Sequence, residues 1–463
     1  MSLGISSITI FPFLAPLNHY SPMLLLSWAT VLSASPALAK IAQYHQLPPL
    51  REQADIQDAW NSERISNIPS ILQKYGIDAW LMSQKEYAED TVFWSLKSAN
   101  QFSARRRTVN LFIANPAEGT PSKYTWIDNT SQVWDDIILV LEEQKPAKIA
   151  INADEGSAFS SGLHVGEMGI FKEKLGYRWA ERFVIERMIA IEFIAAMVPS
   201  RLPWYKKLQA TTWAMIEEGF SGSVITPGET TNELTPDVEW WLRSKIQQMN
   251  YTTWFHPSVS ILGGRSPFPP NESAVVIEYG DLLHVDFGVT ALGMNTDTQH
   301  MAYVLYPGET EANIPKGYLE GLKQVNRLQD IVRDNMKVGA SGNSILKKSL
   351  GQMRVEGFEG RVYSHPIGDW GHSAGTLIGM FNLQDSVEVL GDIPLLPDMY
   401  YSIELYAEHF VPERNATMEF FLEEDVFWNQ KSESFEWVVG RQEEYHLIYS
   451  LTNNLLDKLR TDL

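Results

Sequence analysis

Four carboxylates and one imidazole in the C-terminal half constrain this chain most. Asp286, Asp297, His365 and Glu404 each sit in a short apolar or glycine-containing stretch, and Glu424 sits in an apolar stretch beside two further acids. A carboxylate in apolar surroundings needs a metal, a salt bridge or solvent to compensate its charge. If all five meet, the fold must aim them into one pocket. Hard oxygen donors with one imidazole suit a pair of divalent first-row ions such as Mn, Co or Zn. Two such ions held close together clamp a water and a carbonyl oxygen, which is hydrolytic machinery.

The chain has 463 residues, 44% hydrophobic and 20% charged, a globular composition long enough for two or three domains. Its net charge is −20, which argues against nucleic acid or an anionic membrane as a partner. There is no cysteine, so disulfides, thiolate metal sites and cysteine nucleophiles are excluded. Any metal is held by oxygen and imidazole nitrogen. The 15 tryptophans read as core or cleft-lining residues.

The first charged residue is Lys40. Ahead of it, Met23 to Leu32 is an apolar run, followed by Ala37-Leu38-Ala39, which fits a signal-peptidase site. Ten apolar residues are too few to span a bilayer comfortably. No lysine or arginine precedes the run, so an uncleaved anchor or a terminus upstream of the natural one are the rival readings. We expect residues 1–39 to be a signal peptide and the protein to be exported, periplasmic or secreted.

Residues 40–60 read as a polar, extended lead-in, and Glu63–Tyr75 as a helix stopped by Gly76. Strands are expected at Ile77–Met82, Thr108–Ala114, Tyr124–Ile127 and Lys148–Ile151, with a helix at Gly162–Leu175. This alternation predicts an α/β domain over residues 40–199. Phe183–Val198 reads as helical, and the run from Pro199 to Pro203 marks a boundary. A second domain is expected over residues 204–463. It starts with helices at Trp204–Phe220 and Pro236–Met249, and strands dominate after about residue 255.

Asp286 falls in a strand after the Gly280-Asp281 turn, and Asp297 in a second strand, Asn295–Tyr303. A hairpin through Gly293 would set both on facing strands. Taken locally, a solvated strand face explains these carboxylates as well as a metal does. His365 and His372 lie in a glycine-rich segment, and a histidine pair alone is more often structural than catalytic. Glu404 sits in the strand Met399–Leu405. Phe420–Trp428 is an apolar strand interrupted by three acids, and read by itself it is an edge strand with solvated charges.

Order and spacing say more than any fragment. Asp, Asp eleven residues on, His, Glu and Glu resemble the M24 metallopeptidases, which include methionine aminopeptidases, Xaa-Pro aminopeptidases and prolidases. The stretch Gly280–Gly288 resembles that family's first aspartate motif, Ser402-Ile403-Glu404 its first glutamate strand, and Glu424-Asp425 its final acidic pair. The seven-residue step from His365 to His372 is the family's spacing between a ligand and a catalytic histidine. The region before Trp204 resembles the N-terminal domain of the creatinase and Xaa-Pro aminopeptidase branch. The implied fold is α+β: a pita-bread catalytic domain preceded by a smaller α/β domain.

The resemblance also implies roles. Asp286, Asp297, His365, Glu404 and Glu424 would hold two divalent ions, Mn before Zn or Co. Asp297 and Glu424 would bridge them. Glu404 would take the proton of the attacking water, and His372 would stabilise the tetrahedral oxyanion. The substrate would be a short peptide cut at its N-terminal bond, with proline in the second position. A homodimer is a family-level expectation. No nucleic acid and no stable membrane partner is expected.

The chain departs from the family in neighbouring positions. Phe268 or Pro269 stands where another histidine is usual, Arg361 where proline peptidases tend to have histidine, and Leu422 where an arginine is usual. Leu405 replaces a proline, and Thr298-Gln299-His300 replaces a Thr-Arg pattern. These departures bear on substrate more than on metal. Two other readings share the fold. One is a non-catalytic peptide-binding module, which the substitution at Phe268 favours. The other is a metal-free creatinase-like amidinohydrolase, which retention of all five ligands disfavours. H-E-x-x-H and P-loop motifs are absent.

Overall fold

The structure is a computed structural model that describes residues 41–232, 237–263 and 275–449. Residues 1–39, where the export signal is expected, lie outside the described residues, as do Thr235, Pro236 and the segment containing Phe268 and Pro269. Among the described residues, no helix is long and apolar enough to cross a membrane.

The N-terminal half is built on a five-stranded sheet. Its strands are β1 (Ala79–Lys85), β2 (Arg107–Ile113), β3 (Lys123–Ile127), β4 (Ile149–Ala150) and β5 (Phe183–Val184), in the order β3-β2-β1-β4-β5. Seven helices accompany it: α1 (Leu50–Ser66), α2 (Ile68–Lys74), α3 (Thr91–Leu96), α4 (Gln132–Gln144), α5 (Val165–Leu175), α6 (Tyr177–Ala180) and α7 (Arg187–Ala195). β2 is buried along its whole length, the polar Arg107, Thr108 and Asn110 included. α4 buries Val133, Trp134, Ile137 and Leu141, a helical stripe against this sheet's core.

Two expectations fail here for local reasons. Residues 40–60 are not extended throughout, because α1 begins at Leu50 directly after Pro49. The proline, with φ −53°, presets the first turn instead of breaking the chain. The single helix expected at Glu63–Tyr75 is two helices parted at Asn67, with Pro69 in the first turn of the second. The helix expected over Phe183–Val198 is shorter too. Phe183–Val184 pairs with β4, and α7 starts after Glu186, whose side chain accepts from Met188 N at 3.1 Å.

α8 (Leu202–Gly219) and α9 (Asp237–Gln248) lead into a nine-stranded sheet. Its strands are β6 (Ser258–Leu262), β7 (Leu282–Asp286), β10 (Gln299–Val304), β11 (Glu359–Val362), β12 (His365–Ile367), β13 (Tyr400–Val411), β14 (Ala416–Asn429), β15 (Ser434–Trp437) and β16 (His446–Ile448). The path runs β11-β13-β14-β10-β7-β6, with β12 on β13, β15 on β14 and β16 on β10. The small hairpin of β8 (Thr290–Ala291) and β9 (Met294–Asn295) joins β7 to β10. Its tip needs positive φ at Leu292 (54°) and Gly293 (70°), a turn that glycine eases. Gly288 lets the two arms close, since a Cβ there would lie 2.0 Å from Thr296 O.

Strands do not have the C-terminal half to themselves. α10 (Lys316–Asn335) and α11 (Gly342–Val355) cover the sheet, and α10 packs against β13 and β14. α10 buries Tyr318, Leu322, Val325, Leu328 and Val332, spaced three or four apart, with Ile403, Leu405 and Phe420 in the same core. β14 is no edge strand. It lies between β13 and β10, and Glu423, Glu424 and Asp425 are all at most 1% exposed.

Candidate metal centre

Sheet register decides which acids meet. Residues directly opposite in a ladder share a face of the sheet. Glu404 on β13 faces Glu423 on β14, Glu423 faces Gln299 on β10, and Gln299 faces Asp286 on β7. His365 faces Ser402, two residues before Glu404 and hence on the same side. Asp297 joins from the link before β10, not from a strand as expected. Its backbone N–H goes to Asp425 Oδ2 at 3.2 Å instead of to a neighbouring strand.

Donor atoms fall into two overlapping groups, each within 4.8 Å: Asp297, His365 and Glu423, and Asp286, Glu404 and Glu423. The structure thus brings together Asp286, Asp297, His365 and Glu404, and it corrects the fifth member. Glu424 points to the opposite face with Ile403. There it accepts from His300 Nε2 (2.6 Å), Trp213 Nε1 (3.1 Å) and Gln209 Nε2 (3.4 Å). In a strand a one-residue slip reverses the face, so Glu423, not Glu424, joins the other four.

The cluster is short of positive charge. Burial, then the nearby Glu423, pushes the Asp286 and Asp297 carboxyls well above the usual range. Glu404 is raised by the same two causes. His365 Nε2 lies 3.6 Å from Asp297 Oδ2 and 3.5 Å from Glu423 Oε1. Burial opposes a charge on this imidazole, but Glu423, and after it Glu404, hold it up to about 9. Its Nδ1 donates to Pro366 O at 3.0 Å, which turns Nε2 toward the acids. Asp286 Oδ1 and His365 Nε2 are buried without a hydrogen-bond partner. Unpartnered ligand atoms of these kinds, one in each group, fit divalent cations, and Glu423 is common to both groups.

Side chains to which the sequence assigned no ligand or catalytic role support the cluster. Gln299 Nε2 donates to Glu404 Oε1 and to Glu423 Oε2, both at 2.9 Å. Its Oε1 then accepts from His284 Nε2 at 2.8 Å, leaving His284 Nδ1 to accept from Ser260 Oγ at 3.3 Å. Burial pushes His284 down to about 4, so it serves as a neutral donor. Ser402 Oγ donates to Glu423 Oε1 at 2.7 Å, and Tyr205 OH to Asp425 Oδ2 at 2.9 Å.

His372 stands at the edge of the cluster, its ring centroid 4.6 Å from that of His365 and 5.0 Å from that of Trp254. Tyr363 OH lies 3.2 Å from His372 Nε2. Burial and the neighbouring His365 push His372 down to about 4. A small pocket of about 30 Å³ beside Glu404 and Gln299 is walled by Tyr363, Arg361, Phe381 and Phe421.

The nine-stranded sheet, its covering helices and the smaller N-terminal sheet define a pita-bread fold of the creatinase and aminopeptidase kind. Solved structures carry the likeness. An X-Pro aminopeptidase from Thermotoga maritima matches with a TM-score of 0.52 and 15% identity, over 81% of this chain and 98% of that one. An Xaa-Pro dipeptidase from Bacillus anthracis matches with a TM-score of 0.52 and 18% identity, over 84% and 99%. A variant of Escherichia coli aminopeptidase P matches with a TM-score of 0.53 and 12% identity, over 82% and 95%. At these identities the likeness is one of fold. By sequence, no family model and no curated protein matches the chain.

Proposed function

We propose that the protein is a metal-dependent peptidase that cuts the N-terminal peptide bond of short peptides, with Xaa-Pro bonds as the first class to test. The observation that carries this reading is Glu423, shared by two donor groups that also hold Asp286, Glu404, Asp297 and His365. Similarity of fold to X-Pro peptidases supports the substrate class.

Asp286, Asp297, His365, Glu404 and Glu423 would hold two divalent ions, manganese first among the candidates. Bound there, such ions supply Lewis acidity and make water nucleophilic near neutral pH. Glu404, with Oε1 held by Gln299, accepts the proton of the attacking water. His372, neutral beside Tyr363, donates a hydrogen bond to the carbonyl oxygen as charge develops on it. The protein would work outside the cytoplasm, after removal of residues 1–39.

Peptide profiling with defined metals tests the activity, using Xaa-Pro and Xaa-Ala dipeptides and longer peptides with Mn, Zn or Co. Turnover that is lost on chelation and restored by one metal is the expected result. Full turnover after complete metal removal would overturn the proposal. Tight binding of intact peptide without turnover would turn it into the binding-module reading. N-terminal sequencing of the exported protein, with Lys40 as the expected first residue, tests the signal.

A further inference from the structure

A second cluster of charge lies away from the metal centre, where α1 and α3 meet the segment between His365 and His372. Arg64 on α1 and Arg201 grip one carboxylate. Arg64 Nη2 is 2.8 Å from Asp369 Oδ2, and Arg201 Nη1 is 2.7 Å from Asp369 Oδ1. All three side chains are 7% exposed or less. Two buried guanidiniums on one carboxylate leave a positive charge uncompensated, and an uncompensated buried charge is strongly unfavourable.

A cavity of about 190 Å³ opens on this triad. Arg64, Arg201 and Lys97 line it, and Asp369 is its one acidic wall, in a chain whose net charge is −20. Asp58, in the adjoining larger cavity of about 910 Å³, accepts from Ala99 N at 2.7 Å and its charge also acts on Lys97. Four lining residues carry a buried donor atom with no hydrogen-bond partner among the described residues, Arg64 Nε, Ser95 Oγ, Arg201 Nε and Trp370 Nε1, and the acceptor Asp369 Oδ2 has none beyond its ion pair. Arg64 and Arg201 are 1% and 3% exposed. Burial, opposed by Asp369 and reinforced by Arg201, pulls the Arg64 guanidinium down to about 10.

We propose that this cavity binds a small oxyanion, inorganic phosphate or a carboxylate, between Arg64, Arg201, Lys97 and Trp370. Such an anion neutralises the surplus charge and meets the cationic side chains that line the cavity, interactions of the stronger, charge-assisted kind. A volume of 190 Å³ holds either ion, given roughly 30 Å³ for one water. Trp370 lies two residues before His372, so the bound anion would brace the segment that carries both candidate histidines. This site is independent of the proposed peptidase reaction.

The test is calorimetric titration of the full-length protein with sodium phosphate and, separately, sodium acetate, at constant ionic strength set with chloride. Saturable binding of at least one is expected, its identity telling phosphate from carboxylate. Lys97→Gln and Lys97→Glu remove or reverse one charge on the cavity's lining and leave the Arg64–Asp369–Arg201 triad intact. Each should weaken binding about tenfold. Glu423→Gln, in the metal centre, should leave it unchanged. No saturable heat with either anion, equal binding by wild type and both Lys97 variants, or loss in Glu423→Gln would each overturn the proposal.

Discussion

At the scale of single residues, the exchange of Glu424 for Glu423 carries the most weight. Both glutamates are buried, neighbouring and acidic, yet one meets Glu404 and the other meets His300 and Trp213. Glu423→Gln is therefore expected to lower bound metal from about two ions to at most one per chain. Glu424→Gln should keep the full metal content and lose about 1–2 kcal/mol of stability from its hydrogen bonds. Plasma mass spectrometry of metal content, read beside a urea melt, separates the two. Equal metal loss in both would refute the assignment. Gln299→Leu removes the donor to both glutamates and should weaken metal binding roughly 10- to 100-fold, measured by competition with a chelating dye. Unchanged affinity in that variant would make Gln299 a bystander.

At the scale of elements, α1, Arg201 and the segment after β12 are held together through Asp369. Burial opposes its ionisation, but Arg201 and Arg64 outweigh burial and hold the carboxyl below its ordinary value. A depressed folded-state pKa stabilises above the unfolded value, near 3.9, and that stability is lost as pH falls through the folded value. Asp369→Asn should cost about 3 kcal/mol at pH 7, because it leaves two buried guanidiniums unpaired. The gap to wild type should close in melts taken below about pH 4. A gap that persists undiminished at low pH would show that packing, not charge, holds this junction.

At the scale of the whole molecule, the metal centre links ligand binding to stability. In the metal-free protein Asp286, Asp297 and Glu404 are all raised above their unfolded values. A raised folded pKa favours folding below the unfolded pKa, and that contribution is lost as pH rises through the folded one. The metal-free Tm should thus fall as pH climbs from about 4 into the neutral range. Metal reverses this by compensating the charges and displacing protons. The gain in Tm on adding Mn should be larger at pH 8 than at pH 5.5, and an equal gain at both would argue that these carboxylates are not the ligands.

Much of this was legible in the chain itself. Apolar settings around Asp286, Asp297 and Glu404 left a metal site and a solvated face both open, and order and spacing, with His365, tied them to a fold. Residue type and local pattern are carried by neighbours in sequence, so they can be read there. What only the tertiary structure decided depends on partners far along the chain. Register between β13 and β14 selected Glu423 over Glu424, since alternation along a strand states that faces differ but not which face turns inward. Placement of β14 between β13 and β10 turned an expected edge into a buried strand. Gln299, His284 and Asp369 gained their roles from contacts at a distance, Asp369 from Arg64 more than 300 residues earlier. Sequence by itself determined which kinds of atoms this protein could offer a ligand, and the fold decided which of them face one another.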